Sequence, residues 1–209
     1  MRRTALGLAL VAASAAGMAG CGEVARSGRS PAIVVIGALE AASGAQPTNF
    51  GGTLDSDVIT NVMRTEGGVQ VPVPTIFSDL GRATLRLVLK DPGTPGGAAA
   101  PSSLNQVTIT RYQVSFRRSD GRNTPGVDVP QPFDSAVTIT VPAEGAATAT
   151  FELVRHIAKE EAPLANLRTS SVIISTVADV TFVGRDLAGN TVTATGSIGI
   201  QFGNFGDPQ

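Results

Sequence analysis

His156 and Glu160 are the first residues whose types and spacing could do chemistry. His156 is the only histidine, Glu160 lies four positions on, and on one face of a helix the two could hold a metal ion. Two ligands make a poor metal site, and the chain has no Gly-x-Ser-x-Gly turn to supply a nucleophile beside a histidine base. A solvated pair on a connecting helix is the more common role. We therefore predict no catalytic residue, metal or cofactor, and keep as the alternative an enzyme that uses His156 with Glu160 or Glu161.

Carboxylate and amide side chains near the expected strand ends are a second candidate site, since such oxygens bind calcium. Their spacing does not match a calcium-binding loop, and Asp and Asn at these places are commonly turn formers. Calcium is therefore a minor alternative. The residues concerned are Asp55, Asp57, Asp79, Asp186 and Asn190.

Arginines are concentrated between residues 117 and 126, just after an expected strand that ends at Phe116. Long loops in compact domains commonly carry function, so we predict a contact loop for an anionic or protein partner. The competing prediction is a solvated loop whose arginines pair with Asp120 or Asp128. The side chains of the candidate contact loop are Arg117, Arg118, Arg122 and Asn123.

The elements that must position these residues are strands, because apolar and polar residues alternate with a period of two. Between Ile109 and Tyr112 the apolar positions change from odd to even numbers, which predicts a β-bulge at Thr110 and Arg111. The fold is expected to start at residues 33–36. Further strands are expected at residues 83–90, 107–116, 137–141, 149–153, 172–182 and 192–202, with a possible strand at 58–62.

Turn residues suggest how some of these strands connect. The tight turn Pro142–Gly145 predicts a hairpin between the strands at 137–141 and 149–153. Residues 155–167 then change in character and predict a short helix, broken at Pro163, that carries the chain from one sheet to another.

The last hairpin is the strongest local signal, with strands at 172–182 and 192–202 joined by a turn at 186–190. The run 182–190, followed by alternating threonines, resembles the penultimate strand, turn and last strand of bacterial immunoglobulin-like and fibronectin type III-like domains. The resemblance implies a fold and assigns no function. We predict an all-β, antiparallel immunoglobulin-like β-sandwich of about seven strands with one short connecting helix.

The amino terminus has the layout of an export signal, with a basic start, an apolar middle and small residues before the only cysteine, Cys21. The segment 18–21 resembles the motif that ends bacterial lipoprotein signals. The resemblance implies that residues 1–20 are removed, that the Cys21 sulfur carries diacylglycerol, and that the acyl chains anchor the protein in the membrane. Gly22, where an Asp would favour the inner membrane, predicts the outer membrane if the host is diderm. The alternative is an ordinary secretory signal whose cysteine is incidental.

Composition limits the possible partners. The formal net charge is −1 and no basic stripe is present, which argues against nucleic acid. The chain has eight Phe, one Tyr and no Trp, so it lacks the aromatic residues on which sandwich domains commonly stack sugars. Its single cysteine excludes a disulfide within the chain.

These observations together predict a lipid-anchored, non-catalytic binding or structural module at the bacterial cell envelope. It would contact another envelope protein through the loop at 117–134 or through an open edge strand. Residues 21–30 are expected to form a flexible tether, residues 31–205 a single domain, and residues 206–209 a disordered tail. The alternative is an envelope hydrolase or metal-dependent enzyme using His156. Oligomeric state is left open.

Overall fold

The computed structural model describes residues 29–91, 93–94, 97–98 and 100–206. The predicted signal peptide, the lipidation site Cys21 and most of the predicted tether and tail lie outside the described residues, so these remain predictions. Within the described part, no helix is long and apolar enough to span a bilayer.

The described residues form mainly β-strands. In chain order, the strands are β1 (Ala32–Ala42), β2 (Thr53–Asp57), β3 (Thr60–Glu66), β4 (Val69–Thr75), β5 (Asp79–Leu89), β6 (Gly93–Thr94), β7 (Gly97–Ala98), β8 (Val107–Arg117), β9 (Phe133–Val141), β10 (Ala146–Val154), β11 (Ile174–Asp186) and β12 (Thr191–Gly203). A short helix, α1 (His156–Glu160), and two 3-10 turns (Ser103–Asn105 and Leu164–Thr169) complete the elements.

The strands form two larger sheets and two small ribbons. One sheet has the order β1-β5-β10, and the other has the order β2-β12-β11-β8-β9. Pairing is antiparallel throughout, except that β2 runs parallel to β12. The ribbons are β3-β4 and β6-β7. The prediction of an all-β fold with antiparallel sheets is confirmed.

The inward residues of both sheets meet in one hydrophobic core. Phe151, from the three-stranded sheet, lies between Tyr112 and Phe182 of the five-stranded sheet, with ring centroids 5.0 and 5.3 Å away. Such tilted and edge-on ring contacts stabilise the core beyond the effect of burying each ring. The Tyr112 hydroxyl donates a hydrogen bond of 3.0 Å to the main-chain oxygen of Glu152, which satisfies its polar end. The aromatic cluster therefore joins the two sheets.

The predicted bulge is confirmed at Thr110. Against β11, Ile109 pairs with Gly184 and Arg111 with Val183, so Thr110 is the extra residue. The irregularity shifts the inward face of β8 from odd to even positions, which buries both Ile109 and Tyr112.

The last hairpin is confirmed, with β11 and β12 paired from Ile174 opposite Phe202 to Arg185 opposite Thr191. The first strand of this hairpin was expected to begin at Val172, but β11 begins at Ile174, and Val172 before it is 58% exposed. The first predicted hairpin is wrong, because β9 pairs with β8 and β10 pairs with β5 in different sheets. Alternation of apolar and polar residues indicates which side of a strand is buried but not which strand lies beside it. In the structure, the turn at 142–145 carries the chain from the five-stranded sheet to the three-stranded sheet.

The connecting helix is confirmed as α1, which follows β10 of the three-stranded sheet and, with the 3-10 turn after it, leads to β11 of the five-stranded sheet. It has five residues, of which Ala158 and Lys159 are buried. The connection therefore places a lysine inside the protein.

Candidate functional site

His156 and Glu160 occupy the two ends of α1, and both are exposed. The main-chain N–H of His156 donates a 3.1 Å hydrogen bond to the Ser78 hydroxyl, which attaches the start of α1 to the segment before β5. Across the described ranges, no group of three or more His, Cys, Asp or Glu side chains is arranged to hold a metal ion. The structure thus leaves His156 and Glu160 as a two-residue surface pair.

Of the acidic residues considered for calcium, Asp55 and Asp57 lie at one end of the five-stranded sheet and Asp186 lies at the other. Asp57 pairs with Gly203 near the start of β11, whereas Asp186 ends β11, about 40 Å away at the usual rise of a strand. Asp186 accepts hydrogen bonds of 2.8 Å from both the main-chain N–H and the side-chain amide of Asn190. These two residues therefore close the β11–β12 turn, as Asp and Asn commonly do.

Asp79 belongs instead to a buried polar cluster whose centre is Lys159. The Lys159 ammonium lies 2.9 Å from both carboxylate oxygens of Asp79 and donates a 2.8 Å hydrogen bond to the main-chain oxygen of Asp57. The Asp79 carboxylate also accepts hydrogen bonds from the Ser56 hydroxyl at 2.6 Å and the Gly44 N–H at 3.0 Å. The cluster connects α1 to β2, β5 and the turn after β1.

Electrostatics and solvent access assign this cluster a structural role. Burial raises the pKa of Asp79, against the opposing effects of the Lys159 charge and of the hydrogen bonds from Ser56 and Gly44. Lys159, Asp79 and Ser56 are all buried, and the hydrogen bonds just described use both carboxylate oxygens. A ligand would have to displace these partners. The cluster therefore serves to connect segments of the fold to one another. Asp79 and Lys159 lie 80 residues apart in the sequence, and no local motif indicates that they pair.

The candidate contact loop is held together by its own ion pairs. Arg118 and Arg122 both bind the Asp120 carboxylate, with shortest distances of 2.6 and 2.8 Å. The hydrogen bonds from Arg122, together with those from Arg118, lower the pKa of Asp120 to about 2. The side-chain oxygen of Asn123 accepts a 2.6 Å hydrogen bond from the main-chain N–H of Arg118. The structure therefore brings Arg118, Arg122 and Asn123 together around Asp120.

Arg117 lies apart from these three residues, at the end of β8. It donates a 2.7 Å hydrogen bond to Asp179 on β11, and the same carboxylate accepts a 2.5 Å hydrogen bond from the Ser197 hydroxyl on β12. Each of the three arginines proposed to meet an anionic partner is thus already paired with a carboxylate, of Asp120 or of Asp179. A role in binding stays a prediction for this loop, and it would require a partner to replace those two carboxylates.

The most exposed apolar surface among the strands is the ribbon made by β3 and β4, which we call the β3–β4 arm (residues 60–75). Every residue from Met63 to Pro72 is exposed, and the side chains of Met63 and Val69 are 56% and 64% exposed. One face carries Val62, Val73, Arg64, Val71, Glu66 and Val69, and the other carries Met63 and Pro72 with Thr65 and Gln70. An isolated two-stranded hairpin with this much exposed apolar surface is marginally stable in water, so a partner would stabilise it.

The arm was missed in the sequence, where only a possible strand at 58–62 was expected. The available signal was Gly67-Gly68 between two short runs of strand-forming residues. Glu66 pairs with Val69, and both glycines have positive φ, of 59° and 86°, as a two-residue hairpin turn requires. The second run contains two prolines, which are disfavoured within strands.

Comparisons with known proteins add no relative. No family model, curated protein or solved structure matches this chain.

Proposed function

We propose that this chain is a non-catalytic binding or structural module of the bacterial cell envelope, anchored by lipid on Cys21, and that it contacts another envelope protein. For its fold we propose an immunoglobulin-like β-sandwich, which is supported by two mostly antiparallel sheets around one core. The proposed location is the outer membrane if the host is diderm. The anchor would hold the folded part close to the membrane without any apolar protein surface.

The observation that carries the contact function is the β3–β4 arm. It exposes valine and methionine side chains on a ribbon that the core does not cover, whereas the arginines of the 117–134 loop are already paired with carboxylates. Exposed apolar patches on ribbons and edges commonly mark protein contacts. The arm is therefore the open strand edge on which we place the partner.

Photo-crosslinking in intact envelopes tests this placement. Met63, at the centre of the arm, is replaced by a photoreactive amino acid, and Val127, which is 67% exposed in the 117–134 loop, is replaced in the same way as a matched control. We expect a discrete protein adduct from position 63 and none from position 127. An adduct from position 127 alone would move the contact to the loop, and no adduct from either position would remove the proposed function.

A separate experiment tests the anchor. The Cys21→Ser variant is expected to lose the mass of the acyl chains and to leave the membrane fraction, because a protein without its acyl chains has no other proposed hold on lipid. Intact mass and membrane fractionation of the wild-type and Cys21→Ser chains measure both effects. A wild-type chain that carries no lipid at residue 21 would exclude the anchor while leaving the arm experiment valid.

A further inference from the structure

Only one edge of the β3–β4 arm can accept another strand. Pro72 and Pro74 of β4 lie opposite Met63 and Asn61 of β3. Proline has no amide hydrogen and stands in a ladder where the N–H would point away from the partner strand. The outer edge of β4 therefore lacks two donors in succession, while β3 contains no proline. A strand added to the arm would pair along β3.

The prolines also determine which groups of β3 point outward. In an antiparallel ladder, residues alternate between positions that bond the partner and positions that point away from it. Because Met63 stands opposite Pro72, the main-chain groups of Met63 point away from β4, and those of Thr65, two residues on, do the same. These positions are where an added strand would form its hydrogen bonds.

The charges on β3 are complementary to the same strand running in the opposite direction. Arg64 and Glu66 lie two residues apart on one face of the arm and are both exposed. If two copies of β3 pair antiparallel about a twofold axis at Thr65, each Arg64 lies directly opposite Glu66 of the second copy. Directly opposed charges of opposite sign stabilise a strand pair. A twofold axis makes the arrangement closed, since each copy offers the same residues to the other.

Inside one copy these charges have no such partner. Arg64 lies opposite Val71, and Glu66 lies opposite Val69. The alternative twofold axis at Met63 would put Arg64 opposite Val62 and Glu66 opposite Thr60 of the second copy, so neither charge would lie opposite a charge of the other sign. The charge pattern therefore selects the axis at Thr65.

We propose that the β3–β4 arm pairs two copies of this chain, through an antiparallel β3–β3 contact centred on Thr65, into one four-stranded ribbon. This inference rests on the proposed contact function of the arm and names its partner. A ladder of a few residues is a small interface and belongs to the weak, transient class. Confinement of both copies to one membrane raises their effective concentration and favours such a contact.

Cysteine crosslinking tests the register. Residues at the centre of a twofold strand pair lie about 5.5 Å apart between Cα atoms, which is within the range of a disulfide. We therefore expect Thr65→Cys in the full chain, oxidised mildly in intact envelopes, to form a disulfide-linked dimer. Met63→Cys, on the same face of the arm, should form none, because in this register position 63 lies opposite Gly67. The unsubstituted chain, whose only cysteine is Cys21, is the control.

Charge exchange tests whether the partner is a second copy. In the Thr65→Cys background, Arg64→Glu or Glu66→Arg alone places like charges opposite each other twice, and each is expected to lower the dimer fraction about tenfold. The double exchange restores opposite charges and should restore the dimer. A partner of another kind would not be recovered by two changes in this chain. Unchanged circular dichroism of the three variants establishes that the fold is retained.

Each outcome decides the proposal. A dimer from Thr65→Cys that the double exchange restores supports it. A dimer from Met63→Cys alone overturns the register, and a dimer insensitive to charge overturns the pairing of Arg64 with Glu66. A photo-adduct from position 63 to a different protein, without any dimer, overturns self-pairing but leaves the proposed contact function valid. No adduct and no dimer removes both.

Discussion

The Lys159 ammonium lies 2.9 Å from both carboxylate oxygens of Asp79, and neither side chain is exposed by more than 1%. A charge pair in this position costs desolvation energy when it forms, but it leaves an unpaired buried charge when one partner is removed. Removal of one partner should therefore lower the free energy of unfolding by much more than the intact pair contributes to it.

Replacement of one partner of this pair is the first test. Lys159→Met and Asp79→Asn are each expected to lower the free energy of unfolding by about 3–5 kcal/mol. The double variant should be destabilised by about 0.5–3 kcal/mol less than the sum of the two single variants, because it leaves neither buried charge without its partner. Urea unfolding followed by circular dichroism measures all three. Additive effects would show that the pair is not coupled.

Gly184 provides a test of the bulge in β8. A Cβ atom at this position would lie 2.4 Å from the main-chain oxygen of Thr108 and 2.8 Å from the Ile109 Cα, so backbone atoms would have to move. We expect Gly184→Ala to cost about 1–3 kcal/mol of unfolding free energy. Gly199→Ala on the paired strand β12 is the control, since its Cβ would meet only the Thr53 side chain at 3.8 Å. Equal stability of the two variants in urea would contradict the close packing at the bulge.

The lowered pKa of Asp186 predicts that the stability of the protein decreases in acid. Burial alone would raise the pKa of Asp186, but hydrogen bonds from Asn190 and Ser30 outweigh it and hold the pKa below its usual value. A carboxyl group with a lowered pKa in the folded state contributes stability above its unfolded pKa of about 3.9, and this contribution is lost as pH falls through the folded pKa. The Asp186→Ala variant should therefore be less stable than wild type at neutral pH, and the difference should shrink below about pH 3. Urea midpoints at pH 7 and pH 2.5 measure this change. A difference that stays constant with pH would assign the effect to packing of the turn.

His156 separates the proposed module from the alternative enzyme. Because its side chain is exposed, we expect His156→Ala to change the unfolding free energy by no more than about 0.5 kcal/mol. Wild-type and variant chains should both fail to hydrolyse ester, phosphoester and peptide substrates, with or without added zinc. Turnover by the wild type that disappears in a folded His156→Ala variant would instead establish the envelope hydrolase or metal-dependent enzyme.

Several features of the fold were predictable because they depend on neighbouring residues along the chain. The change of phase between Ile109 and Tyr112 located the bulge, and alternation with a Gly189 turn located the β11–β12 hairpin. The turn at 142–145 was also recognisable, but the pairing of the two strands that it joins was not. Whether two strands joined by a turn pair with each other depends on which distant strands, here β8 and β5, are available beside them.

The candidate site was predictable only in part. The local arginine cluster was evident, and so was its possible neutralisation by Asp120, since these residues are close in sequence. The partner of Arg117 is Asp179, 62 residues away, and nothing near Arg117 indicates it. The β3–β4 arm could have been predicted from Gly67-Gly68, but its exposure could not, because exposure depends on what the rest of the chain leaves uncovered.

The sequence by itself determined the β character of the chain, the faces that alternate between core and solvent, and the turns, because these follow from the period of side chains and the conformational range of a few residues. The tertiary structure alone decided that Lys159 on a short helix would be buried against Asp79, that β9 and β10 would belong to different sheets, and that residues 60–75 would project from the core. Each of these depends on contacts between segments far apart in the chain. Burial and charge pairing there are determined by how the whole chain packs and not by the conformational preferences of neighbouring residues.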